Sequence, residues 1–259
     1  MSHPRIISLD SRLWFPDPGQ AWHDGLVAVG GDMSVPRLLL AYRTGVFPWT
    51  VDPLTWWSPD PRGILELDEL HISRSLTRTL RRTPFTVTFD RAFPDVIRAC
   101  ARVPRRDGAS WVTPEFVAAY SALHREGHAH SVETWHEGRL VGGLYGVALG
   151  GLFSGESMFH TEDDAAKVAL VHLVRHLNAR GYVLFDTQMV TPTTAALGAR
   201  NIPRSEYLRR LEQAVRHDAT FLPPGARLRA HQSEPGEPVA DASQALDFAR
   251  SPESEPPAR

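Results

Sequence analysis

Cysteine is almost missing from this chain. Cys100 is the only one among 259 residues, so no disulfide can form within the chain, and a reducing compartment is expected. Its apolar neighbours point to a core position rather than a nucleophile. Long apolar runs are missing too: none approaches the roughly 18 residues that a membrane helix needs. The opening Met1-Ser2-His3-Pro4-Arg5-Ile6-Ile7-Ser8 has no charged segment leading into an apolar one, so neither a secretory leader nor a membrane partner is expected, and a cytoplasmic location is. Lysine is absent except for Lys167; the other 27 of the 28 basic residues are arginine. A glycine-rich phosphate loop is also lacking. Where one would open a helix the chain reads Asp163-Asp164-Ala165-Ala166-Lys167, with acids where a pyrophosphate requires free amides, which counts against an acyl-CoA substrate.

What remains is a globular composition, 42% hydrophobic and 22% charged, enough for one large domain or a domain with a smaller partner. The formal charge of −2 hides an asymmetry. Residues 233–259 carry six acids, two arginines and five prolines, a composition that predicts disorder. Residues 71–106 hold nine arginines against Asp90 and Asp95, a strongly basic face.

Residues 1–62 are dense in Pro, Gly and Trp, which break long elements, so loops around one short helix at 35–44 are predicted. Farther on the pattern is regular. Helices are predicted at 72–82, 93–100 and 114–125, and a strand at 85–89. Short apolar runs at 131–136, 140–149 and 151–159, separated by Glu137-Gly138 and Gly150-Gly151, predict an antiparallel meander. A helix follows, capped by Thr161 and the acids Glu162, Asp163 and Asp164 and closed by Gly181. A strand at 182–188 and a helix at 204–215 complete the fold. A meander, a helix and a further strand form the core of α+β acyltransferase folds, with 1–62, 63–222 and 223–259 as small N-terminal domain, catalytic domain and tail.

Strand alternation puts Leu184, Asp186 and Gln188 on one face and Ser154, Glu156 and Met158 on another. If the two strands are neighbours, two carboxylates and a carboxamide meet among apolar residues, where a carboxylate's pKa rises toward neutrality and it becomes a usable proton acceptor. The alternative is that Asp186 ends a strand and caps a loop. Arg74, Arg78, Arg81 and Arg82 fall on one helical face; they suit phosphate contacts or form a solvated face. Trp49, Trp56, Trp57 and Trp111 are candidates for base stacking or core packing. His124, His128 and His130 and the His172/His176 pair lack the spacing of metal sites, so no metal is expected.

Several ordered blocks resemble one family. They include Gly30-Gly31-Asp32, Ala41-Tyr42-Arg43-Thr44-Gly45-Val46-Phe47-Pro48-Trp49, Trp56-Trp57-Ser58-Pro59-Asp60-Pro61-Arg62, His71-Ile72-Ser73-Arg74-Ser75, Gly127-His128-Ala129-His130-Ser131-Val132-Glu133, Leu140-Val141-Gly142-Gly143-Leu144-Tyr145-Gly146-Val147, Gly155-Glu156-Ser157-Met158-Phe159 and Asp186-Thr187-Gln188. Together they are similar to the signature of the leucyl/phenylalanyl-tRNA–protein transferases. The resemblance implies transfer of Leu, Phe and less readily Met from aminoacyl-tRNA to the α-amino group of proteins beginning with Arg or Lys, marking them for degradation. It also implies an acyl-CoA N-acyltransferase type of C-terminal domain, and no cofactor. By that resemblance Trp49 and Trp111 hold the terminal adenosine, with Tyr120 nearby, and Leu144, Phe153, Met158, Leu170, Leu173 and Leu177 line the side-chain pocket. Glu156 and Gln188 hold the reacting amine and ester, while Asp186 is general base or electrostatic anchor. His160 and Thr194 depart from the family's pattern near the acceptor pocket. Nothing in the chain demands more than a monomer.

Overall fold

The computed structural model describes residues 6–82, 84–103 and 112–222. The expected tail and Trp111 lie outside them. Among the described residues the architecture is α+β, built on two sheets.

The N-terminal segment corrects the expectation of loops around one helix. Its helix α1 is at Val35–Thr44 as predicted, closed by Gly45 in the left-handed conformation, but four strands accompany it: β1 Ser8–Leu9, β2 Leu26–Gly30, β3 Phe47–Val51 and β4 Leu54–Trp57. They form a sheet in the order β1-β2-β4-β3. These strands have two to five residues, too short for alternation to register against the Pro and Gly between them. Pro48 lies in β3, an edge strand, where a residue without an N–H is tolerated.

The larger sheet has seven strands in the order β11-β5-β10-β9-β8-β7-β6: β5 Arg62–Leu65, β6 Thr86–Phe89, β7 Ala129–His136, β8 Arg139–Leu149, β9 Leu152–His160, β10 Leu184–Gln188 and β11 Arg200–Ile202. The predicted meander is β7-β8-β9, antiparallel throughout. Helix α5, Ala165–Ala179, then carries the chain to β10, which pairs parallel with β9. The strands β5 and β11 and the short helix α6, Pro192–Ala196, carry no periodic signal in the sequence. The remaining helices are α2 Arg74–Arg82, α3 Phe93–Ala101, α4 Pro114–Arg125 and α7 Arg204–Ala214. In α2, Ser73 supplies the opening, its Oγ accepting the Leu76 N–H at 3.2 Å.

The start of α5 is a second correction. Asp164 precedes the helix at φ 64° and makes no side-chain cap. Its carboxylate instead accepts from Lys167 Nζ at 2.7 Å and Thr79 Oγ1 at 3.0 Å, while Glu162 pairs with His136 and Arg139. Side chains on α2, β7 and β8, with Lys167 of α5 itself, take up these acids in place of the free amides. Gly142 lets this end of α5 lie against the sheet: a Cβ there would stand 2.6 Å from Ala165 Cβ.

Alternation along β8 divides the core. Tyr145 and Val147 join Phe93, Phe116, Tyr120 and the N-terminal residues Leu38, Tyr42 and Trp56 in one apolar cluster. Leu144 and Ala148 join Leu170, Leu173 and Leu177 of α5 in another. Cys100 is buried in the first, and burial pushes its thiol up to about 12, so it is inert at neutral pH. No described helix is long and apolar enough to cross a membrane.

Candidate functional site

The parallel pairing of β9 and β10 runs only from Leu184↔Leu152 to Asp186↔Ser154. Gln188 has φ 60°, and the register against β5 shifts between Asp186 and Gln188. Past Asp186 the two strands therefore part, and the residues that sequence alternation paired face each other across the opening. Gln188 Nε2 donates to Glu156 Oε1 at 2.8 Å and reaches Ser154 Oγ at 3.5 Å. Tyr120 donates its hydroxyl to Glu156 Oε2 at 3.0 Å, and that hydroxyl is also hydrogen-bonded to Tyr42 of α1. Burial pushes the Glu156 carboxyl up to about 7, against the opposing effect of the tyrosine hydroxyls. The two strands are neighbours, and Glu156 and Gln188 meet where they part.

Asp186 is different. It is fully buried, but its surroundings are not apolar. Its Oδ1 accepts from Arg62 Nε at 2.9 Å and from the Gln188 backbone N–H at 2.8 Å. Its Oδ2 accepts from Arg62 NH2 at 2.6 Å, Tyr207 Oη at 2.9 Å and Ser154 Oγ at 3.3 Å. Five donors leave no lone pair facing a substrate. Burial alone would lower the Arg62 pKa; the Asp186 carboxylate holds it above its ordinary value. The bidentate, charge-assisted geometry makes this a strong pair.

Two hollows adjoin at Glu156. One, of about 330 Å³, is lined by Leu144, Met158, Leu170 and Phe185, with Glu156, Thr187, Met189 and Thr191 at the other side. The second, of about 120 Å³, is lined by Phe47, Pro48, Trp49 and Gln188 and shares Glu156, Thr187, Met189 and Thr191 with the first. An apolar chamber and a tryptophan-walled slot thus meet at one carboxylate and one carboxamide. A larger hollow of about 670 Å³, between Arg125, His130, Tyr182 and Phe221, contains none of these groups.

Of the expected pocket residues, Leu144, Met158 and Leu170 line the chamber. Phe153, Leu173 and Leu177 do not; they have no exposed surface and fill the core, and Phe153 stacks on Phe221 and meets Phe185 edge-on. Tyr120 is equally buried and reaches the site by donating to Glu156 Oε2. Trp49 is partly buried, 5.5 Å from the Trp57 ring, whereas Trp56 is core, its Nε1 donating to Gly30 O. Thr194 lines the chamber and is held in a capping box with Thr191; His160 is exposed. Arg74, Arg78, Arg81 and Arg82 are all exposed on α2, and none forms an ion pair among the described residues. The histidines have local partners: His124 Nδ1 lies 2.8 Å from Ala129 O and His130 Nδ1 2.7 Å from Asp90.

The structure adds Tyr42, Arg62, Ser154 and Tyr207 to the site residues that the sequence suggests. Tyr42 and Arg62 stand inside blocks that carry the family resemblance, but Arg62 and Asp186 are 124 residues apart, and no local pattern signals that contact.

The leucyl/phenylalanyl-tRNA protein transferase model matches residues 64–212, and that of the corresponding N-terminal domain matches 31–60. The leucyl/phenylalanyl-tRNA–protein transferase of Syntrophotalea carbinolica is 52% identical over 223 residues, covering 85% of this chain and 97% of that one. That of Syntrophobacter fumaroxidans is 56% identical over 213 residues, covering 81% and 91%. A looser likeness, at TM-score 0.38 and 15% identity over 61% of this chain and 52% of the other, is to the structure of L-PGS from Bacillus licheniformis. With identity above half along four-fifths of its length, this chain belongs to the leucyl/phenylalanyl-tRNA–protein transferase family and is an aminoacyltransferase.

Proposed function

We propose that the chain moves Leu or Phe, and less readily Met, from aminoacyl-tRNA to the α-amino group of proteins beginning with Arg or Lys, marking them for degradation. In this reading residues 1–62 form a small domain, 63–222 a catalytic domain of the acyl-CoA N-acyltransferase type, and 223–259 a tail, and the protein works as a cytoplasmic monomer. The observation that carries it is the junction of the two hollows at Glu156 and Gln188. The apolar chamber suits an unbranched or γ-branched side chain, the slot beside Trp49 suits the terminal adenosine, and the ester joining them then lies at the junction.

The reaction is aminolysis of an activated ester, so positioning contributes more than strong basicity. The acceptor's ammonium gives one proton to Glu156, whose pKa near 7 suits that exchange at neutral pH. The neutral amine attacks the ester carbonyl; the C–N bond forms and the C–O bond to the tRNA breaks. The second amine proton goes to the departing ribose oxygen, leaving an amide and a free tRNA hydroxyl. Gln188, tied to Glu156, holds the ester and amine together. Asp186 serves as an anchor, because its lone pairs are already taken. The four exposed arginines of α2 contact tRNA phosphates.

The deciding experiment is incubation with radiolabelled Leu-tRNA and two acceptors, one beginning with Arg and one with Ala. Label on the Arg acceptor alone is the expected result. Folded protein that binds tRNA and labels neither overturns the reading in favour of an RNA-binding module.

A further inference from the structure

Arg62 has contacts that a buried counter-ion does not need. Besides its two bonds to Asp186, its NH1 donates to Gly45 O at 3.2 Å, where α1 ends. Its guanidinium lies 4.9 Å over the Phe47 ring and 4.3 Å over the Tyr207 ring. Side-chain exposure is 1% for both Arg62 and Asp186. Phe47 begins the strand that carries Trp49 two residues on; Asp186 precedes Gln188 by two and holds its backbone N–H. One side chain therefore joins the wall of the tryptophan slot to the segment carrying the carboxamide, with α7 behind both.

We infer that Arg62 is a positioning residue that sets the spacing between the Trp49 strand and Gln188, and that Asp186 acts in the reaction as the partner of Arg62 rather than as a proton acceptor. The inference rests on the proposed transfer reaction and deepens it. A buried guanidinium is suited to this position because its planar fork engages a carboxylate bidentately and keeps a further N–H for Gly45, a combination an ammonium cannot reproduce. The left-handed Gln188 is held at that conformation by Asp186 Oδ1 on its N–H. Loosening the pair releases Gln188 and, through its Nε2, Glu156. A displacement of about 1 Å at a reacting centre costs on the order of 100-fold in rate.

The experiment is a double-mutant cycle on the full chain with Leu-tRNA and an Arg-initiated acceptor, comparing Arg62→Met, Asp186→Asn and the double variant. Each single change is expected to lower kcat by roughly 100-fold with KM for Leu-tRNA changed far less, and Asp186→Asn to cost under about 3-fold once Arg62 is gone, because partners in one buried pair are not additive. Additive losses overturn the inference. The pH profile of Asp186→Asn separates the two roles. The groups facing Glu156 are Tyr42 from α1, Arg62 from β5, Tyr120 from α4, Tyr145 from β8 and Asp186 from β10. The ascending limb of kcat is expected to survive in Asp186→Asn; its disappearance makes Asp186 the proton acceptor.

Backbone amide exchange supplies a readout independent of the reaction. In Arg62→Lys, which keeps the charge and spares folding, residues 45–49 and 187–190 are expected to lose protection together. Loss in one segment alone overturns the clamp, whereas wild-type inactivity with intact coupling overturns only the transfer reading.

Discussion

Gln188 donates its side-chain amide to Glu156 at 2.8 Å across the gap that opens where β10 stops pairing with β9. Gln188 lies two residues past the last β9–β10 pair, and its side-chain amide bridges the opening there. In the proposed reaction, its position at the meeting of two hollows makes Glu156 the group whose protonation governs turnover.

Glu156 is protonated below about pH 7 and cannot then accept the acceptor's proton, so kcat rises through that region and levels above it. Glu156→Gln removes the limb and lowers kcat by about 100- to 10,000-fold, the usual scale for general-base loss. A kcat–pH series with saturating Leu-tRNA measures both effects.

Tyr42→Phe leaves the site geometry in place but deprives Tyr120, and through it Glu156, of a hydroxyl that stabilises the charged carboxylate. The sign follows: fewer donors to the anion raise its pKa, so the ascending limb moves to higher pH. The same limb measured in wild type and variant checks it, and a downward shift contradicts the assignment.

Met158 and Leu173 separate pocket from core. Met158→Trp fills the 330 Å³ chamber and lowers kcat/KM for Phe-tRNA more than it weakens an adenosine analogue in the Trp49 slot. Leu173→Ala, at 0% exposure, costs about 2–5 kcal/mol of stability and leaves the ratio of Leu to Phe transfer unchanged. Substrate competition and denaturant titration decide the two halves.

Replacing Arg74, Arg78, Arg81 and Arg82 with Gln removes four exposed charges that form no ion pair among the described residues. Stability should stay within roughly 0.5 kcal/mol, while the slope of log tRNA affinity against log salt shrinks by about 3 to 4. An unchanged slope, read from filter binding across salt concentrations, returns these arginines to a solvated surface.

Much of the fold is legible in the sequence because it repeats locally. The helices at 35–44 and 114–125, the three-stranded meander and the strand ending at Gln188 follow from apolar spacing and Gly-bearing turns. The small sheet is not legible, since strands this short among Trp, Pro and Gly show no period, and their stability comes from pairing with each other. The acids before α5 mislead because capping is a local rule, and Lys167, Thr79 and His136 offer stronger partners.

The sequence by itself determined the family, the alternation that brings Glu156 and Gln188 toward one opening, and the basic face of α2. Only the tertiary structure decided which carboxylate is paired with an arginine and which is not. Asp186 and Glu156 are similarly acidic as residue types; Asp186 is neutralised by an arginine 124 residues away, while Glu156 is met by neutral donors and desolvated. A carboxylate's charge state depends on the field of whatever surrounds it, and those surroundings come from chain segments that no local pattern connects.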